Sequence, residues 1–97
     1  MLAISREPGQ RFRAGDVFVK LLRVEYPGRR DAPVAVFEVT GFPDPVRLGT
    51  HDQFWLSPEA RLVVVQIKPG RVRLGVEAPR SVPIFRSELE RPAGAAL

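Results

Sequence analysis

GRVRLGVEAPRSVPIFR, residues Gly70 to Arg86, reads as two short strands joined by a tight corner. From Arg71 the side chains alternate: Val72, Leu74 and Val76 fall on one face, and Arg71, Arg73 and Gly75 on the other. Period-two alternation of this kind marks a half-buried strand. Lys68-Pro69-Gly70-Arg71 turns the chain into it, because proline pre-sets φ and the following glycine tolerates positive φ. Ala78-Pro79-Arg80 forms the corner, after which Val82, Ile84 and Arg86 share a face. A solvent-side row of arginines on a small sheet suits a polyanionic partner.

The same grammar holds upstream. Leu2-Ala3-Ile4 opens a strand that Arg6 closes, and Pro8-Gly9 turns it into a second over Gln10–Ala14. Gly15-Asp16 leads to VFVKLLRVE (Val17–Glu25), and Tyr26-Pro27-Gly28-Arg29 separates that run from PVAVFEVT (Pro33–Thr40). Gly41-Phe42-Pro43-Asp44-Pro45 breaks the chain, then brief strands are expected at Val46–Leu48 and Gln53–Leu56, followed by Arg61–Ile67. At Ser87-Glu88-Leu89-Glu90 a serine precedes acidic residues, the pattern of a short helix start, which Pro92 cuts to a stub.

Ninety-seven residues with ten prolines, eight glycines and short apolar runs predict one all-β domain. The absence of cysteine removes disulfides and thiolate metal sites and suits a cytoplasmic protein. The first apolar run ends at Arg6-Glu7-Pro8, too short for a signal peptide, and no run reaches membrane-spanning length. The net charge of +4 is unevenly spread: residues 1–30 and 61–97 carry +4 each, and residues 31–60 carry −4. A solvated surface and a phosphate-binding one fit those numbers equally well.

Enzymatic chemistry finds no support. The single histidine, His51, sits in a polar turn with no nucleophile or orienting partner in any motif, and the glycines are isolated turn residues. Neither a cofactor nor a small-molecule substrate is implied. One internal echo stands out: at an offset of 42 residues Pro27-Gly28-Arg29 matches Pro69-Gly70-Arg71, and Phe12 matches Phe54. Chance likeness between two hairpins is the simpler reading. A decayed second copy would instead let one chain fill space that two chains fill elsewhere.

MLAISREPGQRFRAGD (Met1–Asp16) and RLVVVQIKPGRVRLGVEAPRSVPIFRSELE (Arg61–Glu90) together resemble the carbon storage regulator (CsrA/RsmA) family. The shared features are an apolar first strand ending in Arg, a Gly-Asp turn, the Arg-Leu-Gly-Val strand, the Ala-Pro corner and a closing Ile-Phe-Arg. On this reading residues 1–97 form a single domain with a β-rich insertion at 17–60. The resemblance implies small intertwined antiparallel sheets in a homodimer, with a short C-terminal helix. It also implies binding of messenger RNA at a GGA element in a single-stranded or hairpin loop, which blocks the ribosome. A protein antagonist is a further partner that the family suggests.

Carried over position by position, the RNA-binding residues are Arg86, Arg6, Ile4, Arg80, Phe85 and Ile84. For Ile4 and Ile84 packing in the core is the stronger reading, and Arg86 is the strongest functional candidate. Glu7, Glu77, Pro83 and Ser87 depart from the family pattern, and Glu7 sets a negative charge beside Arg6. The alternative function is therefore a protein-interaction module on the same fold with weakened RNA contact. The aromatic cluster Phe42, Phe54 and Trp55 belongs either to the core of the added strands or to an interface.

Overall fold

A computed structural model describes residues 1–86. The expected helix at Ser87–Glu90 lies outside the described residues. Nine strands run through the rest: β1 (Leu2–Arg6), β2 (Arg11–Ala14), β3 (Val17–Glu25), β4 (Val34–Val39), β5 (Val46–Gly49), β6 (Gln53–Trp55), β7 (Arg61–Lys68), β8 (Arg71–Glu77) and β9 (Ile84–Arg86). All pairings are antiparallel, and they form two sheets. One sheet has the order β1-β8-β7-β6 and the other β5-β4-β3-β2-β9. Among the described residues no helix is long and apolar enough to cross a membrane.

Alternation in β8 buries Val72, Leu74 and Val76, as the sequence predicts. Their counterparts come from both sheets: Ile4, Phe12, Leu21, Phe37, Leu62 and Val64 join one hydrophobic cluster. Each such side chain contributes about 1.5–3 kcal/mol by leaving water, so the interlayer core is what holds the sheets face to face. Residues 17–60 are full members of these sheets, since β3 to β6 all lie within them.

The strand order reveals a pseudo-twofold relation between residues 2–39 and 46–77. In the first, β1 to β4 follow one another; in the second, β5 to β8 do. β3 pairs with β2 and β4, and β7 pairs with β6 and β8. The first strand of each half leaves its own sheet and pairs with the fourth strand of the other, β1 on β8 and β5 on β4. Registers correspond residue for residue. Ile4 opposes Leu74, which opposes Val64; Val46 opposes Phe37, which opposes Leu21. Both third strands carry a bulge at the matching place, at Leu22 and at Val65.

The turn after each first strand repeats too. Gly9 N–H donates to the Leu21 carbonyl at 2.7 Å, and His51 N–H to the Val64 carbonyl at 2.7 Å. Leu21 N–H then donates to Gln10, and Val64 N–H to Asp52, both at 3.0 Å. Of the 42-residue echo in the sequence, Phe12 and Phe54 hold equivalent places, opposite Val19 and Leu62, whereas the registers equate Arg71 with Val34, so the Pro-Gly-Arg match is not a spatial one. Gly9 sits at φ +94° and His51 at φ +73°, so the histidine occupies a backbone conformation that glycine fills in the other half. A left-handed conformation costs a side-chain-bearing residue roughly 1–2 kcal/mol, and glycine's extra chain entropy returns part of that. His51→Gly is therefore expected to stabilise the protein by about 0.5–1 kcal/mol, read as a raised urea midpoint at unchanged slope.

Candidate nucleic-acid interface

The corner after β8 delivers β9 to β2, not back to its own half, with Phe85 opposite Arg13 and Arg86 opposite Phe12. Gly15 N–H donates to the Pro83 carbonyl at 2.8 Å and fixes the approach. Proline at 83 costs the ladder nothing here, because β9 is an edge strand and Pro83 precedes it. Phe12 is a core residue, so Arg86 starts on the face turned toward the other sheet. Its guanidinium reaches across, and Nη2 donates to the Ala3 carbonyl on β1 at 3.4 Å. The tip of the closing strand therefore lies beside the opening strand, within one chain.

The remaining candidates divide. Phe85 is half-buried on the opposite face of β9, with the Arg13 guanidinium 4.2 Å from its ring centre. Arg13 also lies 5.6 Å from the ring of Phe18, so cation and aromatic faces alternate along that surface. Arg80 is exposed in the corner between β8 and β9, and Ile84 is half-buried against the core. Ile4 is in the core. Arg6, expected at the RNA surface, is only 5% exposed. Its Nε donates to the Ser5 carbonyl at 2.7 Å and its Nη1 to the Arg11 carbonyl at 3.2 Å, which ties β1 to the start of β2. Glu7, beside it, is exposed.

The outer face of β1, β8 and β7 completes the surface. Ala3 and Ser5 point outward from β1, opposite Gly75 and Arg73. Arg73 in turn opposes Gln66, and Arg71 opposes Lys68. Ser5, Gln66, Lys68, Arg71 and Arg73 line one polar depression. Three cations and no carboxylate among its walls make it a place where an anion gains from every side. A shallower groove continues from it, lined by Met1, Ala3, Val65, Gln66, Arg73 and Gly75 among others. The Met1 side chain lies over Gly75, in the space a larger residue there would fill. Ala3 is shared by this groove and by the Arg86 contact, so the guanidinium, the groove and the cationic depression form one continuous strip.

The bulge at Val65 makes that strip. Strict alternation from Val64 would send Gln66 and Lys68 into the core; the extra residue turns both outward and Ile67 inward. The alternation of arginines along β8 was visible in the sequence, but Gln66, Lys68 and Ser5 carried no signal that placed them beside Arg71 and Arg73.

At the matching place on the other sheet a carboxylate engages both guanidiniums. Arg23 and Arg47 both donate to the Glu25 carboxylate, at 2.8 and 3.2 Å. The hydrogen bonds from Arg23 and then Arg47 hold that carboxyl below its ordinary pKa. Glu77, at the end of β8, is similarly taken by Arg61. Trp55 and Phe42 are exposed, and Phe42 packs edge-on against Phe54 at 4.9 Å between ring centres.

Comparison with known proteins bears on residues 50–93, which match the model of the CsrA global regulator protein family. That span takes in residues 50–60 as well as the block from Arg61. The translational regulator CsrA of Rhodopirellula baltica is 50% identical over 34 residues, covering 35% of this chain and 49% of the relative. The protein of the same name from Treponema pallidum is 40% identical over 40 residues, 41% of this chain and 55% of the relative. That of Lachnoclostridium phytofermentans is 33% identical over 39 residues, 40% and 54% of the two. The chain spans about half the length of the curated relatives it matches. No solved structure matches it. The matched span contains the strands that carry Arg71, Arg73 and Arg86, and over residues 50–93 the chain is similar to the CsrA global regulator protein family.

Proposed function

We propose that this protein is an RNA-binding translational regulator that holds a GGA-containing loop and denies the ribosome access to it. The observation that carries this reading is the placement of Arg86 on β9 against Ala3 of β1, next to a cationic depression without carboxylates. An RNA loop presents unstacked base edges and a bent run of phosphates together. A planar guanidinium suits the guanine edge, because its fork meets O6 and N7 at once. Lys68, Arg71 and Arg73 meet the phosphates, and Arg80 adds a fourth cation from the corner. Ile4 and Arg6 act from within, the first as core and the second as the clasp that sets where β1 ends. Phe85, backed by Arg13, offers a partly exposed ring for stacking. Nothing covalent occurs: regulation is by occupancy alone.

The names of the matched relatives, translational regulators, agree with this reading. Its test is a fluorescence titration of a GGA-loop hairpin at 50 and 200 mM salt. With three or four phosphate contacts on a single-stranded loop, affinity is expected to fall about 20- to 50-fold between the two. Binding that ignores salt, or that does not distinguish GGA from a loop of altered sequence, would sink the proposal.

A further inference from the structure

We infer that one chain builds one complete RNA-loop site out of its own two halves, and that the second site its pseudo-symmetry would create is left unbuilt. This rests on the RNA-binding reading above and adds the number and origin of the sites. The complete site joins β1, from the start of the chain, to β9, from the end of the described residues. Both are lodged in pairings internal to the chain, β1 on β8 and β9 on β2. No second copy is required to bring Arg86 to Ala3.

The pseudo-twofold relation carries β1 onto β5, β8 onto β4 and β2 onto β6. A counterpart of β9 would then lie along β6. Among the described residues β6 pairs with β7 alone, and its sheet ends there. The cause is in the connections. Residues 40–45 join β4 to β5, just as residues 78–83 join β8 to β9, and each ends in proline, Pro45 and Pro83. The strands they deliver go to different places. β9 crosses to the second strand of the other half, whereas β5 takes the first-strand position beside β4. A single strand, β5, thus stands where a fifth strand followed by a new first strand would be needed, and the slot beside β6 receives neither.

Chemistry has diverged in the same direction. The strip on the complete side is made by Ser5, Gln66, Lys68, Arg71 and Arg73. The registers equate these with Arg47, Arg23, Glu25, Val34 and Val36. Two cations become valines, and a third becomes the carboxylate that binds both remaining guanidiniums. Where Arg6 clasps β1 to β2, the equivalent position is Leu48, a core residue. Among the described residues the second location lacks both the strand that would supply an Arg86 and the open positive charge.

Native mass spectrometry of the full chain with a GGA-loop hairpin, with light scattering on the same mixture, tests this directly. The expected species is one chain of 10.8 kDa with one RNA, persisting when RNA is in excess. Arg73→Ala is expected to weaken binding at least fivefold, and Arg47→Ala to leave it unchanged. Two RNAs on one chain, binding only by paired chains, or equal losses from the two substitutions would each overturn the inference while leaving RNA binding itself intact. Absence of any RNA complex would overturn it together with the proposed function.

Discussion

Arg86→Ala is expected to weaken binding to a GGA-loop hairpin by about tenfold to a hundredfold while costing no more than about 0.5 kcal/mol of stability. The two figures separate because of where the side chain ends. Its hydrogen bond to the Ala3 carbonyl is long and solvent-exposed, so its removal leaves no buried group unsatisfied. The guanidinium nevertheless stands where the edge strands β9 and β1 meet beside the open strip, and a bidentate pair with guanine is worth about 1–3 kcal/mol. Arg86→Lys keeps the charge and loses the planar fork, so it should recover the salt dependence but little of the preference for GGA. A titration of the three proteins against GGA and altered loops, beside their thermal melts, reads both effects. If alanine lowers stability and affinity in parallel, Arg86 is a strut between the sheets, and the recognition role assigned to it is wrong.

The second large effect lies in the core. Phe37→Ala is expected to cost about 3–5 kcal/mol and Leu74→Ala about 2–5 kcal/mol. Both side chains are fully buried, and they hold equivalent positions in the fourth strand of each half. Each fourth strand is also where the other half docks its first strand, with Phe37 opposite Val46 and Leu74 opposite Ile4. A cavity at either place therefore loosens both halves. Against a total stability of about 5–15 kcal/mol, either change brings the protein near its unfolding threshold. Urea unfolding should show one transition in both variants, with the midpoint moved and the slope kept. Two separated transitions would mean that the halves are independent, contrary to the exchange of first strands.

The strands themselves were legible because their signals are local. Val72, Leu74 and Val76 alternate with arginines, VFVKLLRVE has the composition of a strand, and Pro-Gly pairs mark the turns. Partners were harder, since β1 finds β8 some seventy residues away and nothing in either strand names the other. The repeat was legible only as one phenylalanine, Phe12 answered by Phe54, since the matching Pro-Gly-Arg turns are not equivalent in register. A core position such as Leu21 or Val64 demands size and shape, and a left-handed turn admits His51 as well as Gly9, so residue identity decays while register does not. The bulges at Leu22 and Val65 have no local signal, because each extra residue is one more aliphatic beside another, Leu21 and Val64. They decide which residues face the solvent, and so the cationic strip was only half visible. Arg6 misled for a related reason. Charge at a strand end ordinarily means exposure, yet here two backbone carbonyls receive its guanidinium.

The exchange of first strands also dictates when the molecule can fold. While the chain is being synthesised, β1 emerges first and has no place to go until β8 has followed it, so neither layer closes before residue 77 is made. Until then the ribosome carries unpaired apolar edges, which in longer β-chains favour sticking to neighbours over folding. Once closed, however, the two halves cannot drift apart on dilution as separate subunits do, because their encounter is fixed by the length of the tether and not by how much protein the cell contains.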